Sequence, residues 1–341
     1  MGFPRFWHAS TPKVRNARGE VVTESVASLE AVTIGGLRQW ILIRGHSQRN
    51  PVILFLHGGP GMPSMYLAHK FQPPLERGFV VVHWDRRGAG KTYTETTPPE
   101  SMTVTQEVSD TVELVNLLRA RFGQSKVYLV GHSYGSYLGM IVAQRHPELF
   151  HAYVGIGQLA YEGRRNSDVQ DRWLRDQATR RGNTRLVREL DAHGPIDREK
   201  WLFRYGGALH RGRSFLTLLR TGLQAPEYTL QDALNVRKGV NFTHQHLRYD
   251  AIRGELADAV PRVDLPVYFF TGRYDLTDPF ENTEEYAARL QAPSKRVVWF
   301  EESAHFPFLE EPERFAREMD RVRTDTQGDV SENQLGHPPA F

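Results

Sequence analysis

The fold of this 341-residue chain is decided by residues 127–135, which read VYLVGHSYG. An apolar run of the kind found in buried strands leads into the pattern G-x-S-x-G at residues 131–135, and a helical stretch follows at 134–145. A serine at such a junction lies at a helix N-terminus, where free N–H groups favour developing negative charge. We therefore predict that Ser133 is a nucleophile. The alternative is a glycine-rich turn with an incidental serine.

Similar apolar runs lie on both sides of this motif, and they alternate with helical stretches. Continuous Val, Ile, Leu and Phe are typical of strands buried on both faces of a parallel sheet. Gly35 and Gly36 separate the first two runs and predict a hairpin turn. The runs are residues 31–34, 38–43, 51–56, 79–84, 126–130, 152–156, 266–271 and 296–300, with body helices predicted at 103–122, 134–145, 279–290 and 312–322.

Between residues 160 and 262 the pattern changes to Arg-rich amphipathic stretches that show no convincing buried strand. An α/β body interrupted by a helical insertion is therefore predicted. The predicted organisation is an N-terminal arm (1–25), a body (26–159 and 263–323), a helical cap (160–262) and a flexible tail (324–341).

The net charge and its distribution argue against a nucleic-acid partner. The chain has 43 Lys and Arg against 40 Asp and Glu, a net charge of +3, and a pI near 9.0. Residues 160–262 carry 19 basic and 13 acidic side chains, so the whole basic excess lies in the predicted cap. No block of consecutive basic residues marks a nucleic-acid-binding tail.

Cysteine is absent, which excludes a disulfide framework, thiolate metal sites and a cysteine nucleophile. No apolar run approaches the roughly 20 residues that a spanning helix needs. Residues 1–10 lack the apolar core of a signal peptide. We expect a cytoplasmic protein without a membrane partner, and the sequence leaves its oligomeric state open.

A glycine-rich loop, HGGPG at residues 57–61, follows the strand run 51–56. Such a loop brings backbone N–H groups close to a reacting carbonyl, so Gly59 and Tyr134 are the predicted oxyanion-hole donors. His57 is interpreted as a residue that anchors the loop. A phosphate-binding loop is disfavoured, because the site has neither G-x-G-x-x-G nor a terminal Gly-Lys-Ser/Thr.

Two late motifs supply the partners that a serine nucleophile needs. Asp275 follows the run 266–271 and His305 follows the run 296–300, so the chain order is Ser, Asp, His. His305 is predicted as the base and Asp275 as the acid that orients it. Asp278 competes for the acid role, although Asp278 before a proline also suits the N-cap of the next helix.

A further motif, DRRGAG at residues 85–90, follows the run 79–84. It either orders the loops beside the oxyanion site or forms a charged, solvated turn. The sequence assigns it no chemical role.

Together these motifs resemble the α/β-hydrolase superfamily, and most closely its proline iminopeptidase branch. Residues 57–61 match that branch's H-G-G-P-G, residues 85–90 resemble its D-Q-R-G-x-G, and residues 131–135 match its G-x-S-x-G. The resemblance covers about residues 30–158 and 263–322. It implies an eight-stranded, mostly parallel sheet with an inserted helical cap, a Ser133–Asp275–His305 triad, and no metal or organic cofactor.

This chain departs from the branch at Arg86, where Gln is usual, and at Tyr134, where Trp is commoner. Family aminopeptidases hold the substrate's ammonium group with acidic residues of the cap, whereas this cap is net basic. The substrate-binding residues within 160–262 are therefore left open, with these acidic candidates: Glu162, Asp168, Asp171, Glu189 and Asp191.

The resulting expectation is a serine hydrolase that forms an acyl-enzyme. The first hypothesis is a proline iminopeptidase-like aminopeptidase acting on short peptides or amides. The alternative is a carboxylesterase or lactonase acting on a small ester. A hydrolase-fold binding protein is disfavoured, because all three triad residues are present.

Overall fold

The computed structural model describes residues 9–161, 163–192, 196–211 and 214–333, with side chains to residue 327. The first eight residues of the predicted arm, Glu162 and the last eight residues of the predicted tail lie outside these ranges. The described chain forms one sheet of eight strands: β1 (Val26–Ile34), β2 (Leu37–Gly45), β3 (Val52–Leu56), β4 (Val80–Asp85), β5 (Val127–His132), β6 (Phe150–Ile156), β7 (Val267–Gly272) and β8 (Lys295–Phe300).

The sheet has the strand order β1-β2-β4-β3-β5-β6-β7-β8. The pairs β1–β2 and β2–β4 are antiparallel, and every pair from β4 to β8 is parallel. Every residue of β3, β4 and β5 is buried, as their continuous apolar runs predict. The prediction of an eight-stranded, mostly parallel sheet is confirmed.

The hairpin predicted at Gly35 and Gly36 joins β1 to β2, with Ile34 paired to Leu37 across it. Both glycines have positive φ, 54° and 75°. A two-residue turn of this kind matches the right-handed twist of the strands, and only glycine adopts it without a steric penalty.

Twelve α-helices accompany the sheet within the described residues. They are α1 (Ala68–Phe71), α2 (Val104–Phe122), α3 (Tyr134–Arg145), α4 (Arg164–Arg180), α5 (Thr184–Asp191), α6 (Arg198–Tyr205), α7 (Phe215–Gly222), α8 (Leu230–His246), α9 (Leu256–Ala259), α10 (Phe280–Arg289), α11 (Pro307–Glu310) and α12 (Pro312–Asn333). α2 begins where the sequence predicts, with the Thr103 side chain accepting from the Gln106 N–H, and it ends at Gly123 with φ 63°.

The hydrophobic core has two halves, one on each face of the sheet. Val52, Leu54 and Leu56 of β3 lie in one half, with α2 and α3, while Ile53 and Phe55 lie in the other, with α1 and α12. Successive side chains of a strand point to opposite faces, so a continuous apolar run can supply both halves. This packing fixes the carboxyl ends of the parallel strands, where the candidate site lies.

Helices α4 to α9 lie between β6 and β7, and the described residues of this segment contribute no strand to the sheet. The buried leucines of α4 to α7 are continuous with the core half that contains α1 and α12. These leucines are Leu174, Leu186, Leu190, Leu202 and Leu218. A helical segment therefore covers one end of the α/β body.

The last helix, α12, extends beyond the predicted boundary and continues to Asn333, through ten residues of the segment predicted as a flexible tail. Tyr128 and Thr326 hydroxyls are 2.8 Å apart, and Thr326 also donates to the Val322 carbonyl. The tertiary contact with β5 stabilises a turn of helix that polar composition alone does not predict. No helix among the described residues has both the length and the apolar character needed to span a membrane.

Candidate active site

Ser133 lies between the end of β5 and the start of α3, with φ 55° and ψ −125°. It is the one non-glycine residue with positive φ among those described. A Cβ on Gly131 would lie 2.3 Å from the Gly135 oxygen, and one on Gly135 would lie 2.2 Å from the Leu56 oxygen. The two glycines of G-x-S-x-G are thus required sterically, and the turn they permit places Ser133 at the helix N-terminus in a strained conformation.

The loop after β3 packs directly against this turn. A Cβ on Gly58 would lie 2.9 Å from Ser133 Cβ. Gly59 has φ 115°, a conformation that favours glycine. Tyr134 is the first residue of α3, so its N–H has no acceptor within the helix. Gly59 and Ser133 line the same cavity, and Tyr134 follows Ser133 directly, so the structure brings both predicted oxyanion-hole residues close to Ser133.

His57 is buried and holds the loop from inside. Its Nδ1 lies 2.9 Å from the Gly58 carbonyl, and its Nε2 accepts from the Arg86 N–H at 3.3 Å. Burial, and then the Arg86 charge, lower the pKa of His57 well below its ordinary value. A neutral imidazole with these bonds fits the predicted anchoring role.

Asp275 and His305 form a buried pair at the ends of β7 and β8. Asp275 Oδ2 lies 2.9 Å from His305 Nδ1, and Asp275 Oδ1 accepts from the Thr277 and Asp278 N–H groups at 2.9 and 3.1 Å. A carboxylate on Nδ1 keeps the ring proton there and leaves Nε2 as the basic atom. The relation between these two residues is the one the sequence predicts.

The charges around His305 favour its protonated form. Burial by itself lowers the pKa of His305. The carboxylates of Asp275 and Asp278 outweigh burial, with a smaller contribution from Glu199, so the pKa lies above the ordinary value of 6.5. A base with a raised pKa loses its function as the pH falls through that value.

Asp278 contacts both proposed reacting groups. Ser133 Oγ donates to Asp278 Oδ2 at 3.3 Å, and His305 Nε2 lies 3.9 Å from the same oxygen. The interpretation of Asp278 as a helix N-cap is wrong, since α10 begins at Phe280 with Pro279 as its N-cap residue. The Asp275 carbonyl accepts from the Phe280 N–H, so a backbone group takes the place of the expected side-chain cap.

The helical segment is hydrogen-bonded to the loops that carry Asp275 and His305. The Leu276 N–H donates to the Gly207 carbonyl at 2.8 Å, and the His305 N–H donates to the Ala208 carbonyl at 3.1 Å. Gln170 of α4 donates to the Leu276 and Thr277 carbonyls, both at 3.0 Å. The loops that carry Asp275 and His305 are therefore held by the helical segment as well as by the sheet.

Ser133 and His305 line a cavity of about 530 Å³ between the body and helices α6, α7 and α8. Glu199 is the one acidic side chain among its described lining residues, and it lies beside Arg198, which forms a bidentate pair with Asp171. The rest of the lining is chiefly apolar: Met62, Tyr66, Leu67, Leu202, Phe203, Phe215, Leu218, Val240, Phe306 and Phe308.

The four acidic candidates that the structure describes do not line this cavity. Asp168, Glu189 and Asp191 pair with arginines on the surface, and Asp171 pairs with Arg198. Glu162 lies outside the described residues. Sequence reasoning missed Glu199, because no motif marks it and only the direction of α6 brings it to the cavity.

Comparison with known proteins identifies the family. Residues 51–312 match the family described as the alpha/beta hydrolase fold. The chain belongs to this family. Probable aminopeptidase YbaC of Bacillus subtilis is 34% identical to this α/β-hydrolase over 307 residues, 87% of this chain and 96% of that protein. Esterase EstD of Thermotoga maritima is 30% identical over 125 residues, 33% of this chain and 29% of that protein.

Among solved structures, the proline iminopeptidase-related protein TTHA1809 from Thermus thermophilus has the same fold. It aligns with a TM-score of 0.60 and 22% identity, covering 87% of this chain and 97% of that one. The predicted superfamily, its fold and the resemblance to proline iminopeptidases are confirmed by these matches. The chain is a hydrolase.

The DRRGAG motif of this α/β-hydrolase is buried, so its interpretation as a solvated turn is wrong. Asp85, Arg86 and Arg87 are each at most 1% exposed. Arg86 Nε lies 3.4 Å from Glu107, whose other carboxylate oxygen accepts from the Tyr134 hydroxyl at 2.6 Å. These contacts, with the bond from the Arg86 N–H to His57, agree with the other interpretation of the sequence, in which the motif orders the loops beside the predicted oxyanion site.

Two further residues contact His305, and the sequence did not single them out. His132 Nε2 lies 2.8 Å from the His305 carbonyl, with the two ring centroids 4.6 Å apart. A Cβ on Gly157, where φ is 50°, would lie 2.6 Å from His305 Nδ1. The x of G-x-S-x-G and a glycine after β6 therefore shape the imidazole's pocket.

Among the described residues, no group of three or more His, Cys, Asp or Glu side chains is placed to hold a metal ion. The side chains gathered at the site are those of proton transfer and nucleophilic attack.

Proposed function

We propose that this α/β-hydrolase is a serine hydrolase with Ser133 as nucleophile, His305 as base and Asp275 as the acid that orients His305. The observation that carries the proposal is the Asp275–His305 bond of 2.9 Å beside a serine on a strained strand–helix turn, in one cavity. Gly59 and Tyr134 N–H groups are proposed as the donors to the oxyanion.

The proposed reaction proceeds through an acyl-enzyme. Ser133 Oγ forms a bond to the substrate carbonyl carbon as its proton passes to His305 Nε2, and the carbonyl oxygen becomes an oxyanion beside Gly59 and Tyr134. The tetrahedral adduct collapses, the bond to the leaving group breaks, and Nε2 returns the proton to that group. Water then attacks the acyl carbon, gives its proton to Nε2, and the restored Ser133 hydroxyl takes that proton back.

The proposed substrate class is a short peptide or amide with a free N-terminus. Glu199 supports this choice, since its carboxylate lies in the cavity wall, where it can pair with a substrate ammonium group. It is close enough to His305 for its charge to raise the pKa of that residue. The apolar remainder of the lining suits an apolar N-terminal residue such as proline. The 34% identity to a protein named as a probable aminopeptidase points to the same class.

The alternative is a carboxylesterase or lactonase. The observation that favours it is the cavity lining, in which one acidic side chain faces many apolar ones. A neutral ester would bury its alkyl groups there without needing an ammonium site.

We also propose 160–262 as the cap that selects the substrate and 26–159 with 263–323 as the catalytic body. Helices α6, α7 and α8 form much of the cavity wall, while Ser133, Asp275 and His305 follow strands of the sheet. The cytoplasm is the proposed compartment for this cysteine-free chain.

Turnover of an L-proline or L-alanine arylamide, measured beside a short-chain aryl ester, tests this function. We expect arylamide turnover by the wild type and a loss of roughly 10⁴-fold or more in kcat for Ser133→Ala. Ser109→Ala, which removes an exposed hydroxyl of α2, is the matched control. Ester cleavage without arylamide turnover would select the esterase, and full activity of Ser133→Ala would refute the nucleophile assignment.

A further inference from the structure

Asp278 is a buried carboxylate on the side of His305 that the proposed mechanism uses. The residue is 6% exposed. Its Oδ2 accepts from Ser133 Oγ at 3.3 Å and lies 3.9 Å from His305 Nε2. Asp275, by contrast, contacts Nδ1, the opposite edge of the ring. The two acids therefore act on different atoms of the same imidazole.

This placement makes Asp278 a competitor of the base. A general base must accept the nucleophile's hydrogen bond before it can take the proton. In the structure the Ser133 hydroxyl donates that bond to Asp278. A carboxylate is a strong acceptor for a hydroxyl, so this contact holds the proton away from His305 Nε2.

The surrounding charges show what could displace the hydroxyl from Asp278. Asp275, Asp278 and Glu199 are the ionisable groups that raise the pKa of His305. The His132 ring lies against the His305 ring. Arg198, which precedes Glu199 and also lines the cavity, is paired with Asp171. Glu199 lines the cavity, and the carboxylates of Asp278 and Asp275 contact Ser133 and His305 of the same wall. Negative charge at this end of the cavity attracts a positively charged group, and an ammonium group pairs with a carboxylate more strongly than a hydroxyl does.

We propose that Asp278 is a positioning residue that makes catalysis depend on a cationic amine: it holds the Ser133 hydroxyl before substrate binds, and the substrate's ammonium group pairs with it and returns the hydroxyl to His305. The dependence on an amine rests on the proposed aminopeptidase function. The exchange breaks one hydrogen bond and forms two, Asp278 with the ammonium group and Ser133 with Nε2, and no covalent bond changes until Oγ attacks.

A neutral ester or a neutral phosphonate brings no ammonium group, so it reacts with a Ser133 whose hydroxyl is still held by Asp278. Asp278→Asn removes the charge and nearly preserves the shape. It is expected to lower kcat/KM for the arylamide relative to the aryl ester by about tenfold. It should also speed phosphonylation of Ser133 by a neutral fluorophosphonate by roughly threefold at about pH 6, since Ser133 and His305 then pair directly.

The pH dependence of ester turnover separates this role from a structural one. Asp278 is one of the carboxylates that raise the pKa of His305, so Asp278→Asn should move the acid limb of the profile to lower pH. Asp278→Ser is a second variant that lacks the carboxylate. Asp264→Asn is the matched control, because it removes the same charge from an exposed carboxylate paired with Arg262.

An equal loss on both substrates, with an unshifted acid limb and no faster phosphonylation in either variant, would overturn the proposal. A wild type that cleaves esters but no arylamide would reject the proposed function and the amine dependence together. In that case the phosphonylation rate and the ester pH profile still decide whether Asp278 holds Ser133 away from His305.

Discussion

Replacing Asp110 by asparagine removes the negative charge that balances Arg87 inside the protein. The two side chains are 0% and 1% exposed. Arg87 Nε donates to Asp110 Oδ2 at 2.7 Å and Arg87 Nη2 to Oδ1 at 3.0 Å. Gln39 and Gln106 add one donor each, at 2.9 and 2.8 Å. Asp110 is therefore an acceptor for four N–H groups that have little access to water.

Asp110→Asn is expected to lower the free energy of unfolding by about 3–5 kcal/mol, the usual cost of leaving one member of a buried ion pair uncompensated. The new amide group also turns one acceptor into a donor. Two of the four N–H groups then face another N–H, which adds to the loss because buried donors without acceptors are costly. The guanidinium of Arg87 remains charged whatever its surroundings.

Urea unfolding of wild type and variant, followed by far-ultraviolet circular dichroism, measures this difference. The matched control is Asp258→Asn, which removes a carboxylate that is 64% exposed and pairs with Arg289 on the surface. We expect less than about 1 kcal/mol there. If Asp110→Asn lowered the free energy of unfolding as little as the control does, the conclusion that Arg87 of the DRRGAG motif forms a buried ion pair would be refuted.

Two further predictions concern pH. Because the pKa of His305 lies above 6.5, kcat/KM should fall as the pH drops through a value above 6.5. A pH profile of kcat/KM whose acid limb lies at or below pH 6.5 would contradict this prediction. Burial raises the pKa of Asp85 from 3.8 to about 7, although hydrogen bonds from the Tyr228 hydroxyl and the Lys91 N–H oppose this shift. Because the folded protein favours the protonated carboxyl, the stability that Asp85 contributes is fully present below pH 3.8 and is lost as the pH rises to about 7. The difference in unfolding free energy between wild type and Asp85→Asn should therefore shrink by about 3 kcal/mol between pH 5 and 8, and a constant difference would refute it.

Local patterns predicted much of the fold. The Gly35–Gly36 hairpin, the caps of α2 and the turn at Ser133 depend on neighbouring residues, whose backbone preferences are readable along the chain. The extension of α12 past Val322 was not predicted, because a contact between Tyr128 and Thr326, 198 positions apart, supports the helix there.

The candidate site also has features that the sequence predicted and features that it did not. The order Ser133, Asp275, His305 and the strand ends before them placed three groups near one edge of the sheet. From the sequence, Asp278 was considered only as an alternative to Asp275 for the acid role or as the N-cap of a helix. Its actual contact with Ser133 depends on how the turn after β7 approaches α3, which no local pattern contains.

By itself, the sequence determined the strand–turn–helix at Ser133, the order of strands and helices along the chain, and the residue types available for acyl transfer. Tertiary structure alone decided that Glu199 faces the cavity, that Arg87 is buried against Asp110, and that Asp278 holds the Ser133 hydroxyl. The physical reason is the separation along the chain between the interacting residues. Backbone conformation follows from adjacent residues, whereas burial, pairing and pKa depend on groups that folding brings together, such as Ser133 and Asp278 across 145 positions.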